Sequence, residues 1–215
     1  SSAKHSSISF VLGITMLIGL TGGIGSGKTA AANHFEVLGI DVVDADLASR
    51  AVVNPGQPAL ESIADHFGKG IIAADGSLDR AQLRKLVFAE ESERKWLQRL
   101  LHPLISEYLA QQIRASTSSY CLLVNPLLLE SGQSQWCKKV IVVDTAVETQ
   151  IQRTMSRDDN NREQVQSIVN AQMSREDRLS AADFVLINDQ SIRELNSGVE
   201  NIHQELVTLC QKQHT

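Results

Sequence analysis

The 215-residue chain is 42% hydrophobic and 21% charged, the composition of a soluble globular protein, and it is long enough for one good core with smaller inserted parts. Its net charge of −5 leaves no basic footprint that would make nucleic acid the main partner, and no apolar run reaches the roughly 20 residues of a membrane helix. Cys121, Cys137 and Cys210 form no C-x-x-C pair; an odd, scattered set fits a reducing compartment, and a cytoplasmic protein is expected.

Ser1 to Thr15 comes first. Its run from Ile8 to Ile14 could pass for the apolar region of a signal peptide, but no convincing small-residue cleavage site separates it from the strand that begins at Met16. Residues 1–15 are therefore read as a non-catalytic extension, and residues 16–215 as a single working domain. Met16 to Leu20 is a short apolar run suited to a buried parallel strand. Gly22-Gly23-Ile24-Gly25-Ser26-Gly27-Lys28-Thr29 comes next and matches G-x-x-x-x-G-K-[ST]; Ala30 to Phe35 is rich in helix formers. A strand before and a helix after are the setting of a phosphate-binding P-loop. Glycines let the backbone curl so that N–H groups point at phosphate oxygens, and the helix adds its positive N-terminal end. Lys28 can reach the β- and γ-phosphates, and the Thr29 hydroxyl can hold Mg²⁺. Gly23, Ile24, Gly25, Ser26, Gly27, Lys28, Thr29 and Ala30 are thus the candidate nucleoside-triphosphate-binding segment.

Further β-branched runs at Ile40–Val43, Cys121–Val124, Val140–Val143 and Phe184–Ile187 alternate with helical stretches. That alternation predicts an α/β fold: a doubly wound, parallel, five-stranded sheet of the P-loop NTPase type, with ligands at the carboxyl ends of the strands. Asp44, Asp46, Asn125, Asp144 and Asn188 lie at or just past such ends. Asp44 and Asp46 are alternate residues, so in an extended chain both would face the same way. One of them could hold a metal-bound water or accept a proton from an attacking hydroxyl; the plainer alternative is a pair that caps the next helix.

Two excursions interrupt the core. The first, about 47–119, is predicted helical: a turn at Asn54–Pro58 with Pro58 starting a helix, a turn at Asp75–Ser77, a helix over Arg80–Ala89 capped by Asp79, and a long helix over Glu91–Arg114 that Pro103 kinks or divides. Trp96, Leu97, Leu100, Leu101, Leu104, Ile105 and Leu109 mark its apolar side. An insertion of this size suits a second substrate. The second excursion, about 145–181, carries Arg153, Arg157, Arg162, Arg175 and Arg178. It reads either as a solvated helical hairpin or as a lid whose arginines close on phosphates.

These parts are what phosphoryl transfer requires. At this level of detail the chain resembles the dephospho-CoA kinase family. The matching segments are Leu20–Thr29, Asp44-Ala45-Asp46 with Arg50, Leu101-His102-Pro103-Leu104-Ile105, Pro126–Glu130, Gln150–Arg153, Arg157-Asp158-Asp159 and Ala182–Asn188, in the family's order. The resemblance implies transfer of the ATP γ-phosphate to the ribose 3′-hydroxyl of dephospho-CoA, with ATP and Mg²⁺ as the implied cofactors and dephospho-CoA as the partner substrate. It makes ATP the nucleotide of the Gly23 to Ala30 segment. It implies Asp46 as general base with Asp44 in support, and Lys28 and Arg153 on the transferring group with Arg157 as a second candidate. It also implies Arg50, His102, Pro126 and Leu127 on the acceptor side, and Asn188 beside the adenine. The chain departs from the pattern at Gln190, where glycine is common, and at Leu129, commonly aromatic; Asn125 leaves no metal-holding carboxylate after the third strand. Two other readings stay open on the residues alone. One is a different small-molecule or nucleotide kinase; the other is a nucleotide-switched binding module. The protein is expected to be a monomer or a small homo-oligomer.

Overall fold

The computed structural model describes residues 16–158 and 161–212. The segment 1–15 and Asp159 of the Arg157-Asp158-Asp159 match lie outside the described residues. The elements are β1 (Met16–Gly22), α1 (Lys28–Val37), β2 (Asp41–Asp44), α2 (Ala45–Ala51), α3 (Pro58–Phe67), α4 (Arg80–Ala89), α5 (Glu91–Ala115), β3 (Tyr120–Val124), β4 (Lys139–Asp144), α6 (Val147–Asp158), α7 (Arg162–Ala171), α8 (Arg175–Ser180), β5 (Phe184–Ile187) and α9 (Ile192–Lys212).

The five strands form one parallel sheet in the order β2-β3-β1-β4-β5. β1 is central: Leu17 pairs in register with Cys121 of β3, and Gly19 with Val140 of β4. The chain therefore leaves the end of β1 between two neighbours, at the switch point where parallel sheets gather ligands. Strand residues alternate between faces. Ile18, Leu20, Leu122, Val124, Ile141 and Val143 join Phe35 of α1 and Leu195, Val199 and Leu206 of α9 in one buried cluster. Phe35 meets Tyr120 edge-on, with ring centroids 6.4 Å apart.

The chain divides into two compact units, one built from the chain up to Val43 and from Ile113 onward, the other from Asp44–Gln112. In the second, Val52, Val53, Leu60, Ile63, Ile71 and Leu83 form a core against Trp96, Leu97, Leu100, Leu101 and Ile105 of α5. Leu109 is buried as its spacing predicts, whereas Leu104 is 40% exposed. His66 stacks on Trp96 at 3.8 Å. Pro58 opens α3, and the Asp79 carboxylate caps α4 by accepting from Gln82 N–H, both as the sequence predicts. α5 is not divided: it runs through Pro103 as one helix. Pro103 lies on the exposed side, where water can take the carbonyl the ring leaves unpaired.

Phe35→Ala removes a fully buried ring at the centre of the first unit. A loss of about 3–5 kcal/mol is expected, measured as a shift in the urea midpoint at constant slope.

Candidate active site

The loop after β1 is shaped by what its glycines lack. Gly25 and Gly27 have φ of 69° and 96°, in the left-handed region that side chains disfavour. The Ser26 N–H bonds back to the Gly23 carbonyl at 3.2 Å and closes a turn. Space that side chains would fill is taken by neighbours. A Cβ on Gly23 would meet Gln150 Oε1 at 2.6 Å, one on Gly25 the Thr154 hydroxyl at 2.7 Å, and one on Gly27 the amide nitrogen of Asn188. Asn188, just past β5 and buried, donates from Nδ2 to the Ser26 carbonyl at 2.7 Å. The Lys28 ammonium donates to the Gly22 and Gly23 carbonyls at 3.0 and 2.9 Å. α1 starts at Lys28, so the first N–H groups of a helix, which have no intrahelical partner, open toward the loop. Thr29 is exposed and Ala30 half-buried at that end.

α6 presses one face on this loop. Gln150 and Thr154 are buried and touch Gly23 and Gly25; Arg153 lies between them at i+3, on the same face of the helix. The Gln150 amide is fixed by donating to the Thr145 carbonyl at 3.2 Å. Among the described residues, three buried side-chain polar atoms have no hydrogen-bond partner: Ser26 Oγ, Arg153 Nη1 and Thr154 Oγ1. All three belong to the loop or to the helix face against it. Buried polar atoms are normally satisfied, so a cluster of orphans at one place points to a polar ligand.

The other four arginines of this stretch are committed to protein partners. Arg162 grips Glu148 at 2.8 and 2.6 Å, and Arg175 grips Asp144 at 2.8 and 2.7 Å. The buried Arg178 donates to the Met173 carbonyl at 2.7 Å, and its burial pulls the guanidinium below its ordinary pKa. Arg157, expected to bind ATP, is exposed and forked onto Asp158 through two bonds of 2.6 Å. A phosphate would have to displace Asp158 from it.

At the strand ends, Asn125 organises its own loop, donating to Gln133 Oε1 at 2.7 Å and accepting from Leu127 N–H at 2.8 Å. The Pro126 carbonyl accepts from the Thr21 hydroxyl at 3.4 Å, while the Leu127 side chain is half exposed. Asp189 accepts from the Thr145 hydroxyl and from Ala146 N–H; these bonds, the hydroxyl first, hold its carboxyl below the usual carboxylate range. In the second unit, Asp44 Oδ1 accepts from Asp46 N–H at 2.7 Å and Leu47 N–H at 3.1 Å, so Asp44 is the N-cap of α2. The alternation argument for this pair fails because the chain turns helical at Ala45, which puts Asp46 in the first turn of a helix rather than in a strand. Asp46, Arg50 and His102 are exposed.

The sequence profile of the dephospho-CoA kinase family matches residues 16–194. The chain belongs to the dephospho-CoA kinase family. It is a kinase on the P-loop NTPase fold. A dephospho-CoA kinase of Escherichia coli (strain K12) is 49% identical to it over 194 residues, 90% of this chain and 94% of that protein. A crystal structure from Thermus thermophilus is similar with a TM-score of 0.79 and 28% identity, covering 90% of this chain and 98% of that one. A dephospho-CoA kinase from Campylobacter jejuni gives 0.67 and 26%, covering 89% and 97%. Among the described residues no helix is long and apolar enough to cross a membrane.

Sequence reasoning missed Gln150, Thr154 and Gln172 as contributors to this family's phosphate loop here. The Gln150/Arg153/Thr154 spacing was a usable signal, since i, i+3 and i+4 share a helix face. Gln172, whose Oε1 accepts from Ile24 N–H at 3.0 Å across 148 residues, gave none.

Two outcomes are expected. Gly27→Ala meets both the left-handed backbone and the Asn188 amide, whereas Gly39→Ala, φ 84°, meets only open space. Gly39→Ala should cost about 1–2 kcal/mol and Gly27→Ala clearly more, compared by urea melts of the two variants. Asp189, with its pKa lowered in the folded state, contributes stability that is full above the unfolded carboxylate value and is lost as pH falls through the folded one. Asp189→Asn should flatten the decline in stability between about pH 5 and pH 1, followed by urea midpoints across that range.

Proposed function

We propose that this kinase transfers the γ-phosphoryl group of ATP to the ribose 3′-hydroxyl of dephospho-CoA, giving CoA and ADP, in the cytoplasm and with Mg²⁺. Family membership supports the reaction and makes a nucleotide-switched binding module the weaker reading. The observation that carries the site is the group of orphaned buried polar atoms in and around a glycine-rich loop, with one guanidinium nitrogen among them. A triphosphate brings anionic oxygens to satisfy such groups. Cys121, Cys137 and Cys210 form no disulfide, which suits a reducing compartment.

In this reading the backbone amides of Gly23 to Ala30 hold the phosphates of the donor. Lys28 and Arg153 lie on the transferring group, where positive charge stabilises developing oxyanion charge. Arg157 serves as a second phosphate partner once it leaves Asp158, and Asn188 holds the loop beneath the adenine. The Thr29 hydroxyl would hold Mg²⁺, which would offset phosphate charge. Asp46 takes the proton of the 3′-hydroxyl as it attacks; Asp44, by capping α2, fixes the turn that carries Asp46. Arg50, His102, Pro126 and Leu127 belong to the acceptor side by the family resemblance, and residues 145–181 are the lid.

Asp46→Asn should keep ATP binding within about threefold by calorimetry yet lose about 10²–10⁴ in kcat. Near-normal turnover would remove Asp46 as the base. Arg153→Ala should lower kcat by about 10²–10³ and ATP affinity much less. An equal loss in both would make Arg153 a ground-state binding residue.

A further inference from the structure

Residues 172–178, which lead out of α7 and into α8, are tied to three separate strand-end elements. Gln172 Oε1 accepts from the Ile24 N–H of the phosphate loop at 3.0 Å. Met173 N–H donates to Glu130, in the loop after β3, at 3.1 Å. Arg175 holds Asp144, the last residue of β4, through two bonds. Arg178 then donates to the Met173 carbonyl and folds the segment on itself. A cavity of about 400 Å³ lies along this strap, lined by Val147, Gln150, Gln172, Met173, Arg175 and Arg178.

The bond from Gln172 differs in kind from the other two. Glu130 and Asp144 anchor the strap to the sheet end, which a chain reversal needs. Gln172 reaches past them to the third residue of the glycine loop, and from a helix end: it is the C-cap of α7, with its own N–H on the Val169 carbonyl. α7 packs along α6. α6 touches Gly23 and Gly25 through Gln150 and Thr154. The helix pair is thus fastened to the loop at two points, one on each helix, and Arg153 projects from the face between the α6 contacts. Glu130 and Asp144 hold the end of the pair to the sheet, and Gln172 adds a direct tie to the loop itself.

We infer that Gln172 is a positioning residue for phosphoryl transfer. Its amide oxygen on the Ile24 N–H sets the angle of the α6–α7 pair on the phosphate loop, and through it the place of Arg153. The inference rests on the kinase reading and on the role given there to Arg153. Positioning errors of about 1 Å at a reacting centre cost up to about 10²-fold in rate, so a single lost fastening is enough to be seen.

The test is steady-state phosphorylation of dephospho-CoA by the full chain and by Gln172→Leu, Arg153→Ala and the double variant. Leucine keeps most of the volume and removes the acceptor. Gln172→Leu should lower kcat about tenfold while ATP KM stays within about threefold. In the Arg153→Ala background the same change should cost less than about twofold, because the group being positioned is gone. The inference is overturned if Gln172→Leu keeps full kcat, if its loss lies only in KM, or if the tenfold loss persists without Arg153. Should Gln172→Leu fold poorly, Gln172→Ala is read in the same way, alongside hydrogen exchange at the Ile24 amide, which should quicken in either variant; unchanged exchange overturns the inference. A parent protein that forms no CoA, or an Arg153→Ala of full activity, contradicts the reading beneath and takes this inference with it. A full-rate Gln172→Leu contradicts this inference alone.

Discussion

A glycine-rich loop, held in the left-handed region at two of its residues, is the constraint on which the first unit depends. Its glycines supply little packing of their own to hold it. Its shape comes from three other parts of the chain: Asn188 after β5 on the Ser26 carbonyl, Gln150 and Thr154 of α6 against Gly23 and Gly25, and Gln172 on the Ile24 amide. The parallel sheet makes this possible. With β1 central, the ends of β3, β4 and β5 and the segments that leave them all open on the same side. The buried aliphatic rows of the sheet, capped by Phe35 and α9, are what keep those ends in register.

Electrostatics then sorts the arginines. Five lie between residues 145 and 181, and charge alone would send all of them to a triphosphate. The fold gives four of them partners: Glu148, Asp144, Asp158 and the Met173 carbonyl. A paired guanidinium has less to gain from a phosphate than one with a buried nitrogen that lacks a hydrogen-bond partner. Arg153, through Nη1, is in that second condition. Asp144 and Glu148 therefore do more than neutralise charge: they use neighbouring cations to fasten the surrounding segment.

Much of the fold was legible. All five strands lie within two residues of their apolar runs, because a buried parallel strand is a short β-branched stretch with little else to disguise it. The helix over Arg80–Ala89 and its Asp79 cap arise from local hydrogen bonding, which a sequence displays directly. The failures are also local. Pro103 was expected to kink or divide a helix, and the helix is not divided there because the ring sits where solvent tolerates it; Leu104 left the apolar face. The Asp44/Asp46 pair was read on a strand's period of two, but the strand had already ended. The least legible features were tertiary. Nothing in the sequence says that Arg175 belongs to Asp144, or that Gln172 reaches a loop 148 residues away. Such pairings depend on the fold bringing distant segments together, and no spacing along the chain encodes them.

Mass spectrometry of the product formed from Mg²⁺-ATP and dephospho-CoA bears most directly on the proposed reaction. One added phosphoryl group on the ribose 3′-oxygen is expected, with the product lost in Lys28→Ala. ATP binding without phosphorylation of dephospho-CoA would contradict the assigned reaction while leaving the phosphate loop in place.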